Sequence, residues 1–141
     1  MVVRQARDER EIAAALDLRE RVFCGEQGVP LAAERDGRDP HALHVVALQE
    51  ERLVGTCRLV FDGEVAKLGR MAVESGARGG GVGDAILAAA ERSAREAGAR
   101  RITLHAQTAV KDLYSRHGYM PNGETFVEEG IDYVAMEKVL A

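Results

Sequence analysis

A run of glycines at residues 76–83 is the feature of this sequence that most directly indicates ligand chemistry. The run reads Gly-Ala-Arg-Gly-Gly-Gly-Val-Gly and holds five of the 15 glycines in the chain. The flanking patterns predict a strand before it and a helix after it, and backbone amides at a helix N-terminus favour an anion. Glycine lets the main chain approach a ligand closely, and Arg78 adds a positive charge. We therefore predict a phosphate cradle, with a flexible glycine-rich loop as the alternative.

Two common nucleotide motifs do not fit this loop. A P-loop ends in Gly-Lys-Ser or Gly-Lys-Thr, whereas the glycine run here is followed by Asp84 and Ala85. The third glycine of a Rossmann fingerprint would fall on Asp84 or Ile86, and the next predicted strand ends in His-Ala-Gln without the required acid. The sequence therefore disfavours ATP and NAD as the phosphate ligand.

The elements that must position the loop form one mixed α/β domain over residues 1–141. A capping box at Asp8 and Glu11 begins a helix that ends before Gly25. Three apolar segments joined by short connections predict three antiparallel strands. The strand–helix–strand unit that follows predicts a parallel pair of strands. The fold class is α/β (mixed α+β), with a central, mostly antiparallel sheet of about seven strands flanked by helices. The predicted strands are 2–6, 44–49, 53–61, 65–73, 101–107, 125–128 and 131–139, and the later helices are 84–97 and 109–117.

Composition excludes several classes of function. Hydrophobic residues make up 46% and charged residues 30% of the chain, as in a globular domain. The net charge of -4, with both signs interspersed, predicts no nucleic-acid partner. The chain has no apolar run of membrane-spanning length and no signal-peptide pattern, so we expect no membrane and a cytoplasmic location. Cys24 and Cys57 lack metal-ligand spacing, so reduced core thiols and no metal are expected.

Two segments match the motifs of one known superfamily. Residues 78–83 fit the pattern Q/R-x-x-G-x-G/A and follow the predicted strand that contains residues 68–73. Residues 107–119 are close to N-x-x-A-x-x-L/F-Y-x-x-x-G-F, with Gln107 for the usual asparagine and Val110 for the usual alanine. In these segments the chain resembles the GNAT superfamily of N-acetyltransferases. The resemblance implies acetyl-CoA as co-substrate and an amine-bearing small molecule or peptide as acceptor.

Three further stretches, residues 18–30, 34–44 and 104–107, are similar to the ElaA/YjcF-like branch of that superfamily. They contain Leu-Arg-Glu-Arg-Val-Phe with Glu-Gln-Gly-Val-Pro, then Glu-Arg-Asp through His44, then Leu-His-Ala-Gln. With them, the resemblance covers nearly the whole chain in the right order.

The resemblance also implies where the coenzyme binds. The parallel strands around Val73 and Gln107 are expected to splay apart, so that free backbone groups of residues 71–73 bind the pantetheine arm. A backbone amide of that strand would hold the thioester carbonyl, and the glycine loop would hold the pyrophosphate. The implied coenzyme contacts are Met71, Ala72, Val73, Arg78, Gly79, Gly80, Gly81, Val82, Gly83, Asp84 and Gln107.

Direct acyl transfer needs a neutral amine, a polarised carbonyl and an acid for the departing thiolate. Tyr114 fits the acid, because a phenol of pKa ~10 is protonated at neutral pH whereas a thiol resembling cysteine has a pKa of ~8.5. The resemblance implies the same residue, and an ordinary core tyrosine is the alternative. Three possibilities stay open for the general base: a side chain that removes the proton directly, a base that acts through water, or no dedicated base. The candidate side chains are His105, His44 and Glu26, with Asp36 and Glu74 as further candidates.

Several alternatives stay open at this point. Glu26 and the loop with Asp36 and Asp39 are expected either to form an acidic mouth that attracts an amine or to be simply solvated. A non-catalytic CoA-binding sensor would keep the cradle but would not need Tyr114, which favours an enzyme. Synthesis of an acyl-lactone signal would need a basic patch for an acyl carrier protein, and the sequence has none. The acceptor, the acyl chain length and the oligomeric state, a homodimer included, are left open.

Overall fold

The apolar runs of the chain form one seven-stranded sheet in the computed structural model, which describes residues 1–140. The strands are β1 (Val2–Gln5), β2 (Leu43–Gln49), β3 (Arg52–Asp62), β4 (Val65–Val73), β5 (Arg101–Gln107), β6 (Met120–Glu128) and β7 (Ile131–Val139). Their order across the sheet is β1-β2-β3-β4-β5-β7-β6. β4 and β5 run parallel and the other neighbours run antiparallel, which confirms the predicted fold class.

Helices pack on both faces of this sheet. α1 (Glu9–Arg19) begins where the Asp8 side chain accepts a hydrogen bond of 3.0 Å from the backbone N–H of Glu11, as the capping box predicts. The chain then continues through a π-helical turn, Glu20–Glu26, which the sequence pattern did not reveal. α2 (Leu31–Glu34), α3 (Val82–Glu96) and α4 (Lys111–Arg116) follow. Within residues 1–140, none of the helices has both the length and the apolar character that a membrane span needs.

The predicted starts of three elements are wrong. α4 begins at Lys111 rather than at residue 109, because a 3₁₀ turn, Thr108–Val110, precedes it. α3 begins at Val82 rather than at residue 84, because Gly81, with a φ of 85°, makes the turn into the helix and Gly83 lies inside its first turn. β6 begins at Met120 rather than at residue 125. Its pairing with β7 shifts register between Pro121 and Thr125, and the turn-like residues in that interval mask the strand pattern.

The core lies mainly between the sheet and α3. Ile86, Leu87 and Ala90 of this amphipathic helix are fully buried. On the opposite face Leu18 and Val22, from α1 and the π-helical turn, pack against Ala72 of β4. Elements on both faces therefore support the part of β4 that lies near its C-terminal end.

The two cysteines are free, as expected. Cys57 is buried in the core, and burial raises the pKa of its thiol to about 12. A thiol with so high a pKa stays protonated at neutral pH, so Cys57 is a packing residue.

Candidate active site

The parallel strands β4 and β5 separate part-way along their length. They pair from Val65 and Arg101 as far as Leu68 and Leu104, and no further. Beyond that point β4 stays paired with β3 up to Val73, and β5 stays paired with β7 up to Gln107. The edge of β4 from residue 69 to residue 73 therefore lacks a strand partner and faces a cleft of about 1250 Å³. The expected splayed pair is present.

A β-bulge in β4 lies where the two strands separate. Thr56 pairs with Ala72 and Arg58 with Gly69, so three steps along β4 match two steps along β3. Arg70 occupies the bulge with a φ of 53°, a left-handed conformation that is uncommon for a side chain of this size. A bulge bends its strand and redirects the neighbouring side chains. Nothing in the sequence around this arginine signals it.

The glycine loop lies beside the unpaired edge of β4 and leads into the N-terminus of α3. Gly79 and Gly81 have φ values of 82° and 85°, as glycine permits, and a Cβ placed on either would meet no atom within 4 Å. Open space next to the backbone is what a cradle for a ligand requires. The cleft is lined by Arg78, Gly79, Gly81, Val82, Gly83 and Asp84 of the predicted cradle, and by Met71, Ala72, Val73 and Gln107. Gly80 does not line it.

Asp84, in the first turn of α3, is engaged by two basic side chains. Its carboxylate accepts hydrogen bonds of 2.9 Å from His117 Nε2 and 3.1 Å from Arg116. The hydrogen bond from His117, with that from Arg116, holds the pKa of Asp84 below its ordinary value. Because this charge is neutralised by its neighbours, Asp84 can contribute its backbone N–H to an anion site without strong repulsion.

Two side-chain bridges cross the mouth of the cleft. Arg78 donates from Nε to the carbonyl oxygen of Val73 at 2.9 Å and from a terminal nitrogen to Glu26 at 2.7 Å. Gln107 donates from Nε2 to Gln27 at 2.9 Å. The end of the π-helical turn thus contacts the glycine loop on one side and β5 on the other. Arg78, which was predicted to bind a phosphate, is therefore paired with Glu26 in this structure.

Tyr114 lies in the wall of the cleft on α4. Only 5% of its surface is exposed, and its ring packs edge-on against Tyr119 with centroids 5.9 Å apart. Within residues 1–140, no side-chain hydrogen bond fixes its hydroxyl. Burial raises the pKa of this phenol well above its ordinary value, so Tyr114 is protonated at neutral pH.

The two candidate histidines have different surroundings. His105 is exposed on β5, lines the cleft and packs edge-on against Phe126 with ring centroids 5.0 Å apart. His44 is 3% exposed, its Nε2 lies 3.0 Å from the carbonyl oxygen of Asp39, and it does not line the cleft. A general base must reach the proton that it removes. The structure therefore favours His105 over His44, which is a core residue.

Neither alternative left open for Asp36 and Asp39, an acidic mouth or a solvated loop, describes the structure, because both carboxylates are paired with arginines. Asp36 accepts hydrogen bonds from both terminal nitrogens of Arg58, and this arginine is the main reason why the pKa of Asp36 lies below its ordinary value. Asp39 is bonded by Arg19 at 2.7 Å and by Arg58 at 3.0 Å. Burial tends to raise the pKa of Asp39, but the two arginines outweigh it and the net shift is downward.

These pairs belong to a buried ion network that sequence reasoning missed. Arg19 and Glu34 are each 1% exposed and are joined by two hydrogen bonds of 2.8 and 2.9 Å. Arg70 donates to the backbone carbonyl of Glu34 at 3.1 Å and lies 3.4 Å from Asp36. The network ties the loop after α2 to β3 and β4. Glu74, a further candidate base, instead pairs with Arg52 and Arg21 and does not line the cleft.

The sequence model of the acetyltransferase (GNAT) domain matches residues 5–140. The chain is 35% identical over 134 residues to the uncharacterised N-acetyltransferase YjcF of Bacillus subtilis, covering 94% of this chain and 96% of YjcF. An acyl-CoA N-acyltransferase from Pseudomonas aeruginosa superposes with a TM-score of 0.84 at 27% identity over 97% of each chain. Escherichia coli ElaA shares the fold, with a TM-score of 0.88 at 23% identity over 98% of this chain and 99% of its own. The chain therefore belongs to the GNAT acetyltransferases, in their ElaA/YjcF-like branch, and is an acyltransferase enzyme.

Proposed function

We propose that the protein transfers the acetyl group of acetyl-CoA directly to a primary amine. The observation that carries this proposal is the separation of β4 from β5 beside a glycine loop at a helix N-terminus. One long ligand can use both features, because the loop suits a pyrophosphate and the free strand edge suits a chain of amides. Coenzyme A has these two parts in that order.

The coenzyme is held mainly by main-chain groups. Its pyrophosphate accepts hydrogen bonds from the amides of residues 79–84, where the dipole of the 15-residue α3 favours negative charge. Arg78 exchanges Glu26 for a phosphate oxygen. The pantetheine amides pair with the edge of β4 at residues 71–73, as an added strand would.

The transfer itself moves one acyl group and two protons. The neutral amine attacks the thioester carbonyl, whose oxygen accepts a hydrogen bond from a backbone N–H of residues 71–73. The new C–N bond forms, the C–S bond breaks, and Tyr114 gives its proton to the departing sulfur. The proton lost by the acetylated nitrogen passes to water or to His105, and a proton from solvent restores the phenol. Tyr114 is suited to this role because its hydroxyl is protonated and is not engaged by another side chain of residues 1–140.

The acceptor approaches from the face of the sheet that carries His105. This side chain is exposed in the cleft and can accept the proton directly or through one water. Glu26 stays a second candidate base, because the exchange of Arg78 to a phosphate oxygen would release its carboxylate.

Coenzyme binding and catalysis are tested in sequence. A thermal-shift panel compares acetyl-CoA, ATP and NAD. A ligand at 100 times its dissociation constant adds about 2.7 kcal/mol, which for a domain of this size raises Tm by roughly 5–10 °C. Acetyl-CoA should give that shift, and ATP and NAD should give none. Amines are then screened for release of the coenzyme thiol. A shift with ATP or NAD alone would overturn the coenzyme assignment, and tight acetyl-CoA binding with no amine acetylated would overturn the reaction.

A further inference from the structure

One face of the sheet, next to the cleft, carries several cationic side chains. In the sheet, Arg58 of β3 lies opposite Gly69 of β4. Lys67 of β4 lies opposite Val60 of β3 on one side and Thr103 of β5 on the other. Residues opposite each other in neighbouring strands project to the same face, and so do residues two apart along one strand. Arg58, Lys67 and His105 therefore share the face from which the acceptor approaches.

The ion network that includes Arg58 has more positively charged members than negatively charged ones. Five arginines and three carboxylates are joined by ion pairs, which leaves two positive charges in excess. The members are Arg19, Arg35, Arg38, Arg58, Arg70, Glu34, Asp36 and Asp39. Of these, Arg19, Arg35 and Asp39 do not line the cleft, and the others do.

Arg70 is the member of the network that presents positive charge from β4. Its Nε and one terminal nitrogen, Nη2, bond to the loop, at Ala33, Glu34 and Asp36, and Nη1 takes part in none of these bonds. Its side chain is 27% exposed and lines the cleft. Burial first, and then the charge of Arg58, lower the pKa of Arg70.

Lys67 adds a second cation to the same wall. It is exposed, it lines the cleft, and no ion pair in the described part of the chain involves it. Across the cleft, the tip of the β6–β7 hairpin presents Glu128 and Glu129, also exposed and also lining it. The acceptor half of the cleft thus carries positive charge on its β4 wall and negative charge at the tip of the β6–β7 hairpin.

We propose that Arg70 and Lys67 form a subsite for an anionic group of the acceptor, so that the acceptor is an amine that also carries a carboxylate or phosphate. This inference rests on the proposed acetyl transfer. An anionic group on the β4 wall would orient the acceptor across the cleft, with its cationic amine end facing away from the like charges. A guanidinium and an ammonium both form charge-assisted hydrogen bonds with such oxyanions.

The experiment compares acceptors that differ only in charge. The panel holds an amino acid, the same amino acid as its carboxamide, the corresponding decarboxylated amine, and an aminoalkyl phosphate of similar length. Charge-assisted hydrogen bonds predict about a 10- to 100-fold higher kcat/KM for the anionic acceptors. The difference between the amino acid and the phosphate tells which oxyanion the subsite prefers.

Two substitutions test the residues. Arg70→Gln and Lys67→Gln should reduce the anionic-to-neutral ratio of kcat/KM towards one. Lys67→Gln should do so mainly through KM and should leave neutral amines unaffected. Arg70→Gln should also slow neutral amines, because Arg70 occupies the bulge beside the unpaired edge of β4. Matched controls are Arg92→Gln on the outer face of α3 and Lys111→Gln on α4, exposed positions that do not line the cleft. Within residues 1–140 the Lys67 side chain makes no hydrogen bond and no ion pair, so Lys67→Gln keeps the test valid even if Arg70→Gln proves unstable.

Calorimetry of the same acceptors with the CoA-bound protein separates this inference from the proposed reaction. Binding of anionic amines that weakens in Arg70→Gln or Lys67→Gln supports the subsite, even if no amine is acetylated and the proposed reaction fails. Acetylation of neutral and anionic amines at equal kcat/KM overturns the subsite and leaves the reaction standing. An equal effect of both substitutions on charged and neutral acceptors overturns it as well.

Discussion

Tyr114→Phe is the substitution that most sharply tests the reaction. The change keeps the ring, and with it the edge-on contact to Tyr119, while it removes the hydroxyl. Within the described residues no side chain bonds to that hydroxyl, so its removal leaves no buried partner unsatisfied. We therefore expect the free energy of unfolding to change by less than about 1 kcal/mol. The effect should appear in catalysis.

The expected loss follows from the role of a general acid. Such a group contributes about 10²- to 10⁴-fold, which corresponds to roughly 2.7–5.4 kcal/mol in the activation barrier. The contribution belongs to the transition state, so kcat should fall by this factor while the affinity for acetyl-CoA changes less than about tenfold. Because burial raises the pKa of Tyr114, its deprotonation should not limit the wild-type rate up to about pH 10.

The assay is release of the coenzyme thiol under saturating acetyl-CoA and the best acceptor of the screen. Tyr119→Phe is the matched control, since it removes a phenol whose hydroxyl donates to Glu91 at 3.0 Å and which does not line the cleft. That control should lose stability and keep kcat. A Tyr114→Phe protein that turned over at half the wild-type rate or better would show that the acid lies elsewhere.

Three further predictions follow from the cradle and the ion network. Gly81→Val should weaken acetyl-CoA binding sharply while the fold survives, because a β-branched residue is strained at a φ of 85°; unchanged calorimetric affinity would contradict this. Glu26→Gln should tighten acetyl-CoA binding by roughly 1.5- to 5-fold, since it frees Arg78 from an exposed ion pair; weaker binding would refute the exchange. The lowered pKa values of Asp36 and Asp39 stabilise the fold above their unfolded pKa of about 3.9, and this contribution is lost as pH falls below it. Urea unfolding should therefore give a lower free energy at pH 3 than at pH 7, with a smaller difference in an Asp36→Asn protein.

The parts of the site that sequence predicted are those with local signals. The glycines of residues 79–83 are adjacent in the chain, and the helix N-terminus next to them follows from the same stretch. The parallel pair of β4 and β5 follows from one strand–helix–strand unit and the handedness of such crossovers. Tyr114 was found by its motif, and its burial and free hydroxyl agree with the proposed role.

The parts that sequence missed depend on residues far apart in the chain. Arg19 and Arg58 approach the same carboxylate of Asp39 from positions 20 and 19 residues away. Charged residues in a polar loop give no sign of which partners will bury them, so the sequence left an acidic mouth and a solvated loop open and did not reveal the ion pairs. The left-handed conformation of Arg70 is likewise imposed by the pairing of β4 with β3, and no residue preference announces it.

The bulge in β4 links the two halves of the cleft. The pairing of β4 with β5 ends just before the extra residue, and the edge that is left unpaired after it includes residues 71–73, the proposed coenzyme contacts. The same residue sends its guanidinium to the carbonyl groups of Ala33 and Glu34, and this holds the loop after α2 over the acceptor face. A change that shifted Arg70 would therefore disturb the proposed thioester site and the proposed acceptor wall together. Lys67 lies before the bulge, in the regular part of β4 that still pairs with Thr103. We therefore expect its substitution to alter the charge of the wall without altering the proposed coenzyme site.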